Sequence, residues 1–117
     1  MRVVNVENLI RNVKEMCIEA NHFLTDDMNQ ALKRAADAEK SPLGKKILCQ
    51  LQDNLDIAAE DQIPICQDTG MAVLFVEIGQ DVHVEGGLIT DAVNEGVRQG
   101  YREGYLRKSV VGDPIIR

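Results

Sequence analysis

Apolar residues recur at three- and four-residue intervals through the first sixty positions, and then the period changes. Val3, Val6, Leu9, Ile10, Val13, Met16, Cys17 and Ala20 fall on one helical face. Thr25 ahead of Asp26 and Asp27 predicts a second helix, with a hydroxyl cap and acids near the positive end of the dipole. Leu24, Met28, Ala31, Leu32 and Ala35 form its apolar stripe. Ser41-Pro42 predicts a third start, Ser as cap and Pro at the first helical position. Ile47, Leu48, Leu51, Leu55 and Ala58 then share a face. Pro64 disfavours helix at Ile63. The run 71–78, MAVLFVEI, reads as a strand buried on both faces. Gly79-Gln80-Asp81 signals a turn, and Val82 and Val84 alternate as a short second strand, so a β-hairpin is expected. After Gly86-Gly87, a fourth helix carries Ile89, Ala92, Val93, Val97 and Tyr101.

That fourth helix holds Gly96, Gly100 and Gly104 at four-residue spacing. Each glycine inside a helix costs about 1 kcal/mol relative to alanine. Three on one face predict that another backbone packs close against them; a frayed helix end is the alternative. The fold class expected is α+β in a single domain, 1–117: N-terminal helices, a short hairpin and a glycine-rich helix. There is no repeat, low-complexity tract or linker. An apolar pair, Ile115-Ile116, directly after the Gly112-Asp113-Pro114 turn reads as a cut through a larger fold.

Composition narrows the function. The chain has 117 residues, 13 Lys+Arg against 19 Asp+Glu, and a net charge of −6. An acidic surface lacks the Lys/Arg footprint that phosphates require, so nucleic acid is excluded as a general partner. Aromatics are 3% of the chain, too few for base stacking, and the core must be aliphatic. No apolar run approaches the ~20 residues that span a bilayer, and the polar N-terminus does not read as a secretory signal. Three widely spaced cysteines, 17, 49 and 66, do not resemble a disulfide framework, which points to a reducing cytoplasm.

Chemistry concentrates in Ile63-Pro64-Ile65-Cys66-Gln67-Asp68-Thr69-Gly70, the junction of the helical part and the apolar run. Polar groups packed between apolar flanks must find partners, so this is a well-bonded structural loop or a functional one. In one chemical reading, Asp68-Thr69-Gly70 is half of an aspartic-protease dyad. A mostly helical chain, with Cys66-Gln67 where an apolar strand should precede the Asp, argues against it. In the other, Cys66 is a soft thiolate ligand. One cysteine cannot hold a cluster. Cys17 lies on an apolar helix face as a core residue, Cys49 falls on a polar one, and no C-x-x-C pair is present. His22 should close the first helix, where a cation complements the dipole, and His83 should face solvent. Neither is a catalytic candidate.

Pro64-Ile65-Cys66-Gln67-Asp68-Thr69-Gly70, the apolar run after it, Tyr105-Leu106-Arg107-Lys108-Ser109-Val110-Val111, Asp113-Pro114, and the upstream Ala38-Glu39-Lys40-Ser41-Pro42-Leu43-Gly44 together resemble the class I fumarases. More broadly, they resemble the iron–sulfur hydro-lyase α region shared with L-tartrate dehydratase. The resemblance covers most of the chain and implies the N-terminal part of an α subunit, a fragment of a larger α/β hydro-lyase domain. It implies that Cys66 is one of three thiolates on a [4Fe–4S] cluster. Gln67 and Asp68 would contact substrate or the water added to it, with Asp68 catalytic, and Arg107 would bind a substrate carboxylate. The other two cluster ligands and the β subunit or β region would lie outside residues 1–117, so the chain alone is expected to be inactive and the intact enzyme oligomeric.

The chemistry of adding water to fumarate, giving L-malate, accounts for these residue types. An open iron acts as a Lewis acid toward water, a nearby carboxylate moves a proton, and a planar two-donor guanidinium matches a dicarboxylate end. L-tartrate dehydratase is the rival within the family. A non-catalytic module that assembles through the Gly96/Gly100/Gly104 face is the rival of another class.

Overall fold

A computed structural model of the protein describes residues 1–66 and 70–116. Six elements follow in order: β1 (Arg2–Asn5), α1 (Val6–His22), α2 (Asp26–Ala38), α3 (Pro42–Asp61), β2 (Val82–Glu85) and α4 (Ile89–Glu103). The mixed α+β class is as expected. Two compact units divide the described residues. One joins Met1–Glu19 to the chain from Gly70 onward, and the other runs from Ala20 to Cys66, so the last turn of α1 belongs to the second. No described helix is long and apolar enough to cross a membrane.

The expected hairpin does not form. β2 pairs in parallel with β1, Arg2 opposite Val82 and Asn5 opposite Glu85. β1 lies in a stretch expected to be helical. Val3 and Val4 are β-branched and suit a strand. The Asn5 side chain then accepts the Glu7 N–H at 2.9 Å, which starts α1 only at Val6. Parallel neighbours need a long connection, supplied here by everything from α1 to the Gly79–Val82 turn, where the Val82 N–H reaches the Gly79 carbonyl at 3.1 Å.

Nor is the run 71–78 a buried strand. It joins no ladder among the described residues. Ala72 and Leu74 lean on the core of their unit, while Val73 is 69% and Phe75 96% exposed. A strand buried on both faces needs partners at its edges and a layer over each face. Among the described residues no strand pairs with the run, and one side alone of it meets a core.

The glycine face of α4 does pack closely, and its neighbour is α1. A Cβ at Gly96 would stand 2.7 Å from Val13 Cβ and 2.8 Å from the Ile10 carbonyl oxygen. At Gly100 it would stand 2.9 Å from Cys17 Cβ and 3.0 Å from the Lys14 carbonyl oxygen. The core of this unit grows around that contact from Val13, Cys17, Tyr101 and Leu106, with Val93 and Val97 packed on it. Lys14 and Glu103 close the edge with a 2.6 Å ion pair. Burial pushes the Cys17 thiol pKa up, which keeps it a protonated core residue. An assembly module built on this face would need it free, and α1 already fills it.

In the second unit, Leu55 and Ala58 of α3 pack with Ile65, and Leu24 and Leu32 cover them. α3 starts as the sequence implies: the Ser41 hydroxyl accepts the Gly44 N–H at 3.3 Å and Pro42 occupies the first turn. Thr25 occupies the N-cap position of α2, but its hydroxyl makes no cap bond to the backbone. It bonds to the Asp27 carboxylate instead, and that bond, with backbone donors, holds the Asp27 pKa below its ordinary value.

The α1–α4 contact sets the sign of a substitution. Alanine at Gly96 gains up to ~1 kcal/mol of helix propensity and loses ~1–3 kcal/mol to overpacking. The obstructing atoms are a Cβ and a backbone oxygen, neither of which can swing away. Gly96→Ala should therefore lower the unfolding midpoint in a thermal melt. Gly112→Ala, where nothing lies within 4 Å, should leave it nearly unchanged.

Candidate functional site

The segment that carries Cys66 begins at the end of α3. Gln62 takes the left-handed conformation, φ 52°, and its N–H returns to the Ala58 carbonyl. The Ile63 N–H reaches the same carbonyl at 3.1 Å, the paired pattern that closes many helices. Glycine is the usual occupant of that position; here Gln62 fits, with its side-chain amide donating to the Ala59 carbonyl at 2.7 Å.

Hydrogen bonds then hold the chain up to Cys66. The Gln62 carbonyl lies 3.1 Å from His22 Nε2; a carbonyl can only accept, so that ring nitrogen carries the proton. The Ile65 N–H donates to the Asn21 carbonyl at 2.9 Å, and the Ile65 side chain is buried in the core. The Cys66 N–H donates to Asn54 Oδ1 at 2.9 Å. His22 does close α1, but it is buried at 3% exposure and serves as a clamp on this segment. His83 is exposed, as expected.

Gln67 and Asp68 lie outside the described residues. The far end of the run is described, and it makes a second close approach. A Cβ on Gly70 would clash with the Ser109 Cβ and would stand 2.7 Å from its Oγ and 3.0 Å from its Cα. The two sequence motifs, the Cys-Gln-Asp-Thr-Gly run and the Tyr105–Val111 segment, therefore meet at Gly70 and Ser109.

The Tyr105–Val111 segment is set by the end of α4. The Gly104 N–H bonds to the Gly100 carbonyl at 2.9 Å, Tyr105 is left-handed at φ 52°, and the Leu106 N–H reaches the Tyr101 carbonyl at 3.1 Å. Leu106 is then driven into the core beside Tyr101. Arg107 follows it at the surface, two residues before Ser109. Arg107 belongs to the first unit and Cys66 to the second.

Of the three thiols, Cys17 is buried while Cys49 and Cys66 are exposed. A metal ligand must be reachable and held in place. Cys66 meets both demands, being exposed at the end of a clamped segment; Cys49 sits on the outer face of α3. Among the described residues no three His, Cys, Asp or Glu side chains converge as a metal site. Cys66 thus fits one corner of a cluster, and the described residues hold no complete ligand set.

Asn54, Asn21 and Ser109 are the functional neighbours that sequence reasoning missed. Asn54 carried one signal: asparagine is a poor helix former, and it stands deep inside α3.

The family described as fumarate hydratase (fumerase) matches residues 10–117, and the chain belongs to it, a family of hydro-lyases that includes the tartrate dehydratase α subunits. It is 36% identical over 100 residues to a Methanocaldococcus jannaschii protein named "Putative L(+)-tartrate dehydratase subunit alpha", covering 85% of this chain and 35% of that protein. It is 38% identical over 65 residues to the L(+)-tartrate dehydratase subunit alpha of Escherichia coli K12, covering 56% of this chain and 22% of that protein. The chain thus spans about a third or less of the length of these relatives. No solved structure matches it.

The Gly70–Ser109 contact yields a two-residue test. Gly70→Ala should destabilise the protein by ~1–3 kcal/mol, because its methyl has no place to go. Adding Ser109→Gly removes the obstructing Cβ and should recover most of the loss. A denaturant double-mutant cycle would measure the coupling.

Proposed function

We propose that this chain is the N-terminal part of the α region of a fumarate hydratase, which adds water reversibly to fumarate to give L-malate. The observation that carries the reading, beyond family membership, is the meeting of the two motifs at Gly70 and Ser109, with Cys66 clamped and exposed at the other end of the first run. In this reading Cys66 is one of three thiolates on a [4Fe–4S] cluster, and the other two come from outside residues 1–117. When bound, a cluster with one open iron supplies a Lewis acid for the water.

The roles of the chain's own residues follow from their chemistry. Arg107 offers two parallel N–H donors to a substrate carboxylate and fixes the dicarboxylate's orientation. Gln67 hydrogen-bonds substrate or the added water. Asp68 moves a proton to or from the carbon next to the one that takes the hydroxyl. A β subunit or β region completes the enzyme; the relatives' names, as alpha subunits, support that partner. The same names favour a second reading, L(+)-tartrate dehydration, which needs the same carboxylate clamp, proton carrier and electrophile.

The test uses the α region that contains this chain, assembled with its β partner. Turnover should be faster on fumarate than on L(+)-tartrate; the reverse order selects the second reading. Asp68→Asn keeps the shape and removes the titrating proton. It should lower kcat by about 10²–10⁴-fold while leaving the iron content in place.

The surface of the first unit supports its place within a larger α/β domain. Phe75, Val73, Met71 and Ile78 are exposed along an extended run, and beside it opens an apolar cleft of about 170 Å³ lined by Val4, Leu9, Val76, Ile78, Val82, Val84 and Ile89. Contiguous apolar surface of this kind marks an interface. The occupant we assign is the remainder of the α region, since this chain's match covers only 35% of one relative and 22% of another. Phe75→Asp should leave the unfolding midpoint of the 117-residue chain within the small range of surface substitutions. In the complete α region it should lower the midpoint by several degrees, because a charge would then be buried. Equal, negligible shifts in both would remove the interface.

A further inference from the structure

The segment that delivers Cys66 is tied at Gln62 by the His22 ring, at Ile65 by the Asn21 carbonyl and at Cys66 by Asn54. The first two ties come from the end of α1 and stop one residue short of the cysteine. The third is different in kind. It is a side-chain acceptor from a neighbouring helix, it spans twelve residues of sequence, and it acts on the cysteine's own backbone.

An asparagine at this place is costly to its helix, since it stands inside α3 where alanine or leucine would be favoured. Its Oδ1 instead accepts the N–H of a residue outside the helix. The Cys66 side chain is exposed and gains nothing from core packing. Without Asn54 the segment would still be anchored at the buried Ile65, but the peptide of Cys66 would be free to turn.

We propose that Asn54 is a positioning residue for Cys66: by holding the cysteine's N–H, its Oδ1 fixes the backbone from which the thiol reaches iron. The proposal rests on the reading of Cys66 as a cluster ligand. Residues that orient metal ligands without touching the metal commonly govern affinity, and their loss costs about 10–100-fold.

Amide hydrogen exchange on the 117-residue chain tests the anchor without any metal. The Cys66 amide should be protected in the unmodified protein. Asn54→Leu should speed its exchange about three- to tenfold, the worth of one hydrogen bond. The Ile65 amide, held by Asn21, should not change. Asn54→Asp keeps an oxygen acceptor and should restore protection at Cys66. An unprotected Cys66 amide in the unmodified protein overturns the proposal, even if Asn54→Leu fails to fold. So does unchanged exchange in a folded Asn54→Leu.

The second arm measures iron retention against a chelator in the assembled enzyme, where Asn54→Leu should bind iron about 10–100-fold more weakly. If Cys66→Ser loses iron and Asn54→Leu does not, the positioning role fails while the ligand reading stands. If Cys66→Ser keeps its full iron, the ligand reading fails and takes the positioning role with it.

Discussion

Where Gly96 and Gly100 of α4 lie against α1 there is no room for a side chain. At Gly96 and Gly100 a methyl would meet the Cβ atoms of Val13 and Cys17 and, beside them, the carbonyl oxygens of Ile10 and Lys14, none of which can rotate out of the way. The first unit is organised by that contact. It sets Tyr101 and Leu106 against Val13 and Cys17 and brings Lys14 to Glu103. It fixes the end of α4, and through Leu106 the place where Arg107 leaves the core. Helix propensity is sacrificed for it at about 1 kcal/mol per glycine. The return is dispersion and burial over a whole helix face, which scales with the number of atoms brought into contact.

Both segments that carry candidate chemistry hang from helix ends built alike. α3 ends in left-handed Gln62 with Ile63 returning to Ala58, and α4 in left-handed Tyr105 with Leu106 returning to Tyr101. Glycine would take either position without strain, whereas a residue with a Cβ costs about 1–2 kcal/mol there. Strain of this kind persists only where surrounding contacts over-determine it. Ile65 and Leu106, both buried, supply those contacts. Each segment therefore has one hydrophobic anchor, and each sends its polar candidate outward just beyond it: Cys66 after Ile65, Arg107 after Leu106.

Much of this was legible residue by residue. Ser41-Pro42 announced α3 because capping is a matter of four adjacent residues. The glycine spacing announced a close approach, which Gly96 and Gly100 make inside α4, while Gly104, expected within the helix, caps its end. Cys17 announced a core position through its place in the apolar stripe. The Cys66–Gly70 run stood out because so many polar groups occur together between apolar flanks. Thr25 misled because its hydroxyl bonds to the Asp27 carboxylate, and that carboxylate, not the hydroxyl, takes backbone N–H groups of the first turn of α2.

The sequence by itself determined the positions of α2, α3 and α4, the glycine face and the candidate residues, since each depends on neighbours within a turn or two. It could not decide which strand β2 would choose. A parallel pairing with Arg2–Asn5 involves residues about eighty positions away, and local pattern carries no information about that. The same limit explains the run 71–78: alternation and hydrophobicity describe a surface that wants covering, but the cover must come from elsewhere in the fold. Asn54 and Ser109 belong to this second kind as well. Their meaning lies in a backbone N–H and a glycine that the chain brings to them only after the helices have packed.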